Sequence, residues 1–327
     1  MCYAENNGLY AGNSLNLQQL RYVHEVARRG LNVSEAALAL HTSQPGVSKQ
    51  IRAFEDELGV SIFVRSGRRL VAITDAGQEV LRHVERILGE VANLRAVGEE
   101  FAHHAKGLLA VAVTHTQARY ALPSVVTAFK KRYPEVKLKL LQGNPHQLAR
   151  MVVAGEADLA IATEALMEYP ELVTLPCYQW HHCVVVPAGH PLARVKPLTL
   201  EAIARHPLVT YDPTFAGRTA IDKTFAAREL HPEIALTALD SDVIKSYVSL
   251  GLGVGIISSR AFRKGKDEGL KALDCSHLFP AQTTRLAYKR GAYLRNYMVE
   301  FIRLFAPHVR GEDLKQLAAG QGENFSI

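Results

Sequence analysis

The pattern of hydrophobic and polar positions over residues 32–58 predicts two short helices joined by a tight turn. Asn32 stands where a helix N-terminal cap belongs, and Glu35 is its usual reciprocal partner three residues later. In the second helix, residues 44–58, apolar side chains recur at intervals of four, three and four residues, which places them on one buried face. Those side chains are Val47, Ile51, Phe54 and Leu58. A third amphipathic helix, predicted at 17–28, completes a small core.

The other face of the second helix is polar. Gln44, Ser48 and Arg52 recur every four residues, and Lys49 lies beside them. Glutamine can pair with adenine edges in a major groove, while arginine and lysine reach guanine or phosphate. The alternative is a solvated pair of amphipathic helices without a partner.

The sequence that follows favours a DNA-binding domain. Two short apolar strands, at 62–65 and 70–73, flank a basic turn in which Gly67 permits the reversal. Such a hairpin after three helices is typical of a winged helix-turn-helix, with 44–58 as the recognition helix and arginines near phosphates. We therefore expect double-stranded promoter DNA as a partner, contacted by Ser34, Ser43, Gln44, Pro45, Ser48, Lys49, Arg52, Arg65, Arg68 and Arg69.

Length and charge agree with a DNA-binding domain inside a larger protein. The chain has 327 residues, of which 48% are hydrophobic and 21% charged. This length predicts two or three folded units, and the composition excludes general disorder. The net charge is +6, and residues 15–72 hold eight basic against five acidic residues, so the basic excess on the DNA-binding segment is modest.

Residues 75–101 predict one long helix whose apolar positions alternate at four- and three-residue intervals, which is a heptad pattern. A helix with such a stripe needs a partner, either its own domain or a second copy of the chain. Because a winged helix-turn-helix usually reads a two-fold operator, we favour a dimer. The residues predicted to form this dimer seam are Val80, Val84, Ile87, Val91 and Leu94.

From residue 107 onwards, short apolar runs alternate with amphipathic stretches, which predicts an α/β architecture with a mainly parallel sheet. The pattern occurs twice, so we expect two lobes with a ligand in the cleft between them. The predicted divisions are a disordered leader at 1–14 (or an artefact of the start codon), a winged helix-turn-helix at 15–74, a linker helix and hinge at 75–106, a first lobe at 107–177 and 281–310, a second lobe at 178–280, and a tail at 311–327.

The best ligand signal lies where a strand ends at Val113 and a helix begins near Gln117. Open N–H groups at a helix start, with hydroxyl and amide side chains beside them, suit a small anion or a carboxylate. The alternative is that Thr116 only caps the helix. Similar strand ends occur at 161–164 and 209–218. The predicted effector contacts are Thr114, Thr116, Gln117, Thr163, Tyr211, Thr214 and Ala216.

Other features point away from catalysis, metals and membranes. The glycines at 251–255 follow a helix and precede a strand, the reverse of a dinucleotide-binding loop, and no residue has the local context of a nucleophile. The four cysteines lack metal-ligand spacing, so free thiols are favoured, with a Cys177–Cys183 redox pair as the alternative. Since no stretch resembles a signal peptide or a membrane span, we expect a cytoplasmic protein. Since no catalytic arrangement is found, we expect that the protein is not an enzyme.

The sequence resembles the LysR-type transcriptional regulators from residue 15 to about 310. The resemblance is carried by Leu17-Gln18-Gln19-Leu20-Arg21-Tyr22, by the stretch from Thr42 to Ile51, by Glu57-Leu58-Gly59 and by Ile62-Phe63-Val64-Arg65. The stretches 114–123, 162–166, 175–178 and 242–245 resemble the CysB branch, the cysteine-regulon activators. The fold class is therefore expected to be α/β, with an N-terminal winged helix-turn-helix, a long linker helix and a two-lobed effector domain like a periplasmic binding protein.

The resemblance also implies an effector and partners. Thr114, Thr116, Gln117 and Thr163 would line a pocket for N-acetylserine or O-acetylserine as inducer, with sulfate or thiosulfate as antagonist. A homotetramer built from dimers and a contact with RNA polymerase are implied in the same way. At Ala216 the sequence departs from the CysB-like relative that it otherwise resembles, which has a hydroxyl residue before the Gly-Arg pair. A regulator of sulfonate utilisation is the alternative within the branch, and a cytosolic solute-binding α/β protein is the alternative from another class.

Overall fold

A computed structural model describes residues 15–102, 106–310 and 314 of the chain. The chain divides into two compact units, Met1–Ala96 and Val97–Ile327. The described part of the N-terminal unit contains the helices α1 (Leu17–Arg28), α2 (Val33–Ala39) and α3 (Gln44–Leu58), the antiparallel strands β1 (Phe63–Ser66) and β2 (Arg69–Ile73), and most of the helix α4 (Asp75–Ala102). The predicted winged helix-turn-helix and long helix are confirmed.

Local sequence signals set the ends of these helices. The Asn32 side-chain oxygen accepts hydrogen bonds from the first turn of α2, and its amide nitrogen donates to Glu35 at 2.9 Å. Ser43 caps α3 by accepting from the N–H group of Gly46. At the other end of α3, Gly59 adopts the left-handed conformation, with φ of 69°, which glycine tolerates without strain. The recognition helix therefore has the bounds that its sequence predicted.

The beginning of α4 packs against the core of the N-terminal unit. Leu81 and Val84 of α4 are buried among the apolar side chains of the three helices and the wing. Gly77 allows this close approach, because a Cβ at that position would lie 2.2 Å from the carbonyl oxygen of Ile62. The first turns of the long helix thus belong to the DNA-binding unit.

The described part of the C-terminal unit holds two five-stranded sheets, one in each lobe. The first lobe contains β3 (Gly107–Val113), β4 (Val136–Gln142), β5 (Leu159–Ala162), β6 (Leu172–Trp180) and β12 (Gln282–Lys289), in the order β4-β3-β5-β12-β6, with the helices α5 (Leu122–Arg132), α6 (Pro145–Val153) and α10 (Asn296–Phe305). The second lobe contains β7 (His182–Pro187), β8 (Leu208–Tyr211), β9 (Ile234–Ala238), β10 (Val254–Ser258) and β11 (Leu270–Asp274), in the order β11-β7-β10-β8-β9, with the helices α7 (Leu200–Ala204), α8 (Ala216–Ala226) and α9 (Ser241–Ser249).

The expectation of mainly parallel sheets was wrong. In each sheet two pairings are parallel and two are antiparallel, because the returning strands β12 and β7 run against their neighbours. Strand β6 lies at an edge of its sheet, and its pairing with β12 shifts register next to Pro176. Since proline cannot donate a hydrogen bond to a neighbouring strand, this edge position is where a sheet tolerates it.

The chain passes between the lobes at two places, after β6 and before β12. The first crossing is at His181, because β6 continues to Trp180, three residues beyond the boundary at 177 that the sequence suggested. Within the described residues, no helix is both long and apolar enough to span a membrane.

Candidate DNA interface and effector site

Helix α3 presents a buried apolar face and an exposed polar face. Val47, Ile51 and Phe54 are at most 1% exposed and hold the helix against α1 and α2. The side chains of the polar face are exposed or, for Ser48, half-buried: Gln44, Pro45, Ser48, Lys49 and Arg52. Ser34, in the first turn of α2, is exposed as well. This face can enter a major groove without disturbing the core.

Arg65 in the wing differs from the other predicted phosphate contacts. Its guanidinium forms an ion pair with Glu55 of α3, whose side chain is only 9% exposed. The second oxygen of Glu55 accepts from the N–H groups of Ile62 and Phe63 at 2.8 and 3.1 Å. Arg65 therefore ties the wing to the recognition helix, while Arg68 and Arg69 at the turn remain exposed. The sequence could not show this, because the partner lies ten residues away in another element.

The predicted dimer seam of α4 is divided between two environments. Val84 is 2% exposed and lies in the core of its own domain, and Val80 packs partly against the same core. Further along the helix, Ile87 is 45% exposed and Leu94 is 72% exposed, with Val91 half-buried between them. The assignment of Val84 to a dimer interface was wrong, because the DNA-binding unit already covers it.

A small cavity of about 40 Å³ lies between the two lobes of the C-terminal unit. Thr114, Thr116 and Thr163 line it from the first lobe, and Tyr211 and Ser258 line it from the second. The other described lining residues are His115, Gln117, Pro145, Trp180, Phe215, Gly217 and Leu239. This effector cavity brings together five of the seven residues that the sequence predicted for ligand contact.

Hydroxyl groups connect the lobes beside the cavity. Thr116 Oγ1 lies 3.4 Å from Ser241 Oγ, which in turn lies 2.6 Å from the Tyr211 hydroxyl. The Tyr211 hydroxyl also accepts from the N–H group of Ser258 at 3.1 Å. Burial raises the pKa of Tyr211 to about 12, so its hydroxyl stays protonated at neutral pH. Thr116 does not cap its helix, which removes the alternative explanation for this residue.

Two helices point their N-terminal ends at the effector cavity, one from each lobe. In the first lobe, helical geometry begins at His115, and the first helical hydrogen bond runs from the Ala118 N–H group to Thr114 O at 3.0 Å. In the second lobe, α8 begins beside Phe215, and no side chain caps it in the described structure. The N–H groups in the first turn of a helix lack partners within the helix, so both ends favour negative charge.

Trp180 is the lining residue with the clearest unmet hydrogen bond. It is 8% exposed at the end of β6, and its indole nitrogen is buried without a partner among the described residues. A buried N–H group without an acceptor is costly, so it is normally satisfied by water or a ligand. This donor and the two helix ends all suit an acceptor-rich ligand.

Two of the predicted effector contacts, Thr214 and Ala216, are not among the lining residues, and the polar atoms of a third, Gln117, already have partners. The Gln117 amide reaches the cavity wall, but it donates to Thr284 at 3.1 Å and accepts from Tyr178, so its polar atoms serve its own lobe. The Thr214 hydroxyl is exposed and donates to Asp212 at 2.6 Å, outside the cavity. Ala216 begins α8, but its side chain lies outside the described part of the structure.

A cluster of charged groups lies next to the cavity, where the helical turn that precedes α5 in the first lobe meets α9 of the second. The carboxylate of Asp242 forms ion pairs with Arg119 at 2.8 Å and Lys245 at 3.2 Å. His115, Asp240 and Asp242 come close enough to offer ligands to a metal ion. Because two cations already neutralise Asp242, this group is better suited to linking the lobes than to binding a cation.

The cysteines give no support to a redox pair. Cys177 is buried in the core of the first lobe and Cys183 in that of the second, and both are free thiols. Burial raises the pKa of each thiol to about 12. Both cysteines therefore stay protonated and unreactive at neutral pH.

Family comparisons agree with these two sites. Residues 17–78 match the model of the bacterial regulatory helix-turn-helix proteins of the lysR family, and residues 102–310 match the LysR substrate binding domain. The chain belongs to the LysR family of transcriptional regulators. It is therefore a DNA-binding regulator with an effector-binding domain rather than an enzyme.

Two curated relatives place this LysR-type regulator in one branch of the family. The transcriptional regulator CysB of Burkholderia cenocepacia is 51% identical over 96% of this chain and 100% of its own length. The regulator SsuR of the same organism is 51% identical over 93% of this chain and 98% of its own. Among solved structures, the cofactor-binding domain of the Cbl regulator is 47% identical, with a TM-score of 0.63, covering 65% of this chain and 94% of that one. The regulator is thus a member of the CysB, Cbl and SsuR branch.

Trp180, Ser241 and Ser258 of this LysR-type regulator are among the cavity and network residues that the sequence did not predict. Ser241 starts a helix shortly after strand β9, which is the arrangement that identified Thr114. A search for polar residues between a strand end and a helix start could therefore have found Ser241. Ser258 is the last residue of β10, so the same search for polar residues at strand ends would have found it. Trp180 ends a strand that was not predicted, so nothing local marked it.

Proposed function

We propose that this regulator controls genes of sulfur assimilation and cysteine biosynthesis in response to a small anion bound in the effector cavity. The observation that carries the proposal is a cavity lined by hydroxyl groups between two helix N-termini, beside the buried and unpartnered N–H group of Trp180. None of the described lining residues is lysine, arginine, aspartate or glutamate. Neutral donors and helix ends can hold an anion without an opposite charge.

The size of the cavity bears on the choice of effector. Its volume of about 40 Å³ exceeds the ~10–15 Å³ that a cavity needs to hold one water molecule. A compact oxyanion such as sulfate or thiosulfate needs little further space. N-acetylserine or O-acetylserine would place a carboxylate at the same donors, but the lobes would have to separate further to admit the rest of the molecule. The effector can shift DNA binding only by binding one arrangement of the lobes more tightly than another.

Assembly and further partners follow from the exposed part of α4 and from the family. Ile87 and Leu94 leave an apolar stripe beyond the DNA-binding core, which favours pairing with a second copy through a coiled coil. We infer a dimer on this seam. A tetramer of two such dimers and a contact with RNA polymerase are inferred from the family resemblance alone.

Regulation of sulfonate utilisation is a second candidate within the same branch. Relatives named CysB and SsuR match this chain at the same identity, 51%. The alanine at position 216, which the sequence resemblance marks as a departure from a CysB-like relative, is in keeping with a different ligand. Both candidates use the same cavity, so they differ in the anion rather than in the site.

Calorimetry on the full-length protein tests the cavity. Thr114→Val with Thr116→Val removes two hydroxyl groups and should weaken binding of sulfate, thiosulfate or N-acetylserine by about 0.5–1.5 kcal/mol for each lost hydrogen bond. Thr127→Val is the matched control, because Thr127 lies exposed on α5 of the same lobe. Undiminished anion binding in the double variant would move the site elsewhere. A mobility-shift assay with each anion then shows whether binding changes operator affinity.

A further inference from the structure

The last turn of the linker helix α4 is attached to the first lobe through Glu100. From Val97 onwards the helix belongs to the C-terminal unit. Glu100 is 9% exposed, and its carboxylate accepts hydrogen bonds from the N–H group of Asn296 at 2.7 Å and from the hydroxyl group of Tyr293. One buried carboxylate therefore joins the end of α4 to the start of α10, which lies 196 residues further along the chain.

The same carboxylate caps the N-terminal end of α10. Arg295, the residue that precedes the helix, forms no capping hydrogen bond with its side chain. The first N–H groups of a helix have no acceptor within the helix, and they favour a negative charge. Glu100 meets both needs, because it offers a charged acceptor to the first N–H group of α10. The end of α4 and the start of α10 thus stabilise each other.

The other contacts of this turn are weaker. The Glu99 carboxylate forms an ion pair with the guanidinium of Arg295 at 2.9 Å, but 66% of the Glu99 side chain is exposed. Exposed ion pairs contribute little and are screened by salt. Phe101 is 71% exposed, and a cavity of about 280 Å³ lies between this turn and residues 155–158 of the first lobe. The attachment therefore depends more on Glu100 than on the burial of large apolar side chains.

Strand β12 connects this attachment to the effector cavity. Gln117, which lines the cavity, donates to the hydroxyl group of Thr284 near the start of β12 at 3.1 Å. Tyr293 and Asn296, the partners of Glu100, follow soon after the same strand ends at Lys289. Since β12 pairs with β5 on one side and β6 on the other, it can shift only together with its sheet. A movement of the cavity wall thus has a continuous path to the end of α4.

We propose that Glu100 is the positioning residue that makes the linker helix follow the first lobe, so that effector binding alters DNA binding. This inference rests on the proposed function, since it takes the anion in the effector cavity as the signal. Glu100 does not line that cavity, so its role is to hold the end of α4 at the start of α10. The helix responds to the effector only while this contact is made.

Hydrogen–deuterium exchange on the full-length protein without effector tests the attachment. Glu100→Ala removes the acceptor, so the amide hydrogens at the start of α10 and in the last turn of α4 should exchange about tenfold faster, as expected for a lost hydrogen bond to a charged group. Glu100→Gln keeps an acceptor for the Asn296 N–H group and should restore much of the protection. Glu90→Ala, at an exposed glutamate of the same helix, is the control. Exchange in Glu100→Ala that equals the wild type, or that is faster throughout the first lobe, would overturn the proposal.

A mobility-shift assay with and without sulfate or thiosulfate tests the coupling. The anion should change operator affinity in the wild type, and this change should largely disappear in Glu100→Ala and return in Glu100→Gln. Calorimetry should show the same anion affinity in all three proteins. A full response to the anion in Glu100→Ala would refute the coupling. If the wild type binds neither anion, the proposed function fails, and the exchange measurement alone decides whether Glu100 holds the helix.

Discussion

The hydroxyl group of Tyr120, in the first lobe, donates a hydrogen bond to the carboxylate of Asp242 in the second at 2.6 Å. The same hydroxyl accepts from the ammonium group of Lys245 at 2.9 Å, and Lys245 also donates to Asp267 at 2.7 Å. Burial raises the pKa of Asp242, but the hydrogen bond from Tyr120 and the charges of Lys245 and Arg119 outweigh it and lower the pKa overall. This network joins the lobes through charged hydrogen bonds.

Tyr120→Phe should weaken that connection. Removing the hydroxyl leaves Asp242 and Lys245 each short of one hydrogen bond, so we expect the free energy of unfolding at pH 7 to fall by about 1–2 kcal/mol. The Asp242 carboxylate stabilises the fold above its ordinary pKa of 3.8, and its contribution is lost as the pH falls through the lowered value. The difference in the free energy of unfolding between variant and wild type, measured with urea, should therefore persist at pH 5 and decrease only at lower pH. Tyr247→Phe, on the exposed face of α9, is the control and should leave stability unchanged.

Two substitutions in the DNA-binding unit should separate sequence recognition from phosphate binding. Gln44→Ala should reduce discrimination between operator and unrelated DNA by about 1–3 kcal/mol. Arg68→Ala should weaken binding to all sequences alike and reduce the dependence of affinity on salt by about one counterion. Fluorescence anisotropy at several salt concentrations measures both effects. If Gln44→Ala folds normally and retains full discrimination, α3 is not the recognition helix.

The division of the α4 stripe gives opposite expectations for two glutamate substitutions. Val84→Glu places an unpaired charge in the core and should unfold the DNA-binding unit. Ile87→Glu with Leu94→Glu alters exposed positions, so we expect this double variant to keep its helical circular dichroism and its DNA-binding unit folded. Light scattering should then show a monomer where the wild type forms a dimer or larger assembly. A wild-type monomer would refute the proposed seam.

His182 should make the stability of the second lobe depend on pH. It is 1% exposed, and burial lowers its pKa to about 4, whereas an unfolded histidine titrates near 6.5. The contribution of neutral His182 to the free energy of unfolding is complete above pH 6.5 and decreases as the pH falls towards 4. The loss is about 2 kcal/mol at pH 5. His182→Phe should reduce this loss, and the control His231→Phe, at an exposed histidine, should not.

The fluorescence of Trp180 can measure unfolding next to His182. Trp180 is the only tryptophan in the sequence, and its ring centroid is 5.1 Å from that of His182. An unchanged pH dependence in His182→Phe would contradict the assignment.

The strands that the sequence analysis missed show what local patterns lack. Helices 17–28 and 44–58 have the predicted type and bounds. Strands β6 and β11 were not predicted, and both lie at sheet edges, where only one neighbouring strand supports them. Pro176 further weakens the strand signal of β6. An edge strand forms because a neighbour offers it hydrogen bonds, and that neighbour, β12, is about a hundred residues away in the sequence.

The sequence by itself determined the helices, the buried strands, the order of the domains and the family, because helix caps and apolar periods act over a few residues. The tertiary structure alone decided the partner of each side chain. It buried Val84 in its own domain, paired Arg65 with Glu55 and turned Gln117 towards Thr284. It also set Thr116 opposite Ser241, 125 residues away along the chain. A local pattern shows which face of an element is polar, but only the packing of distant elements determines what that face meets.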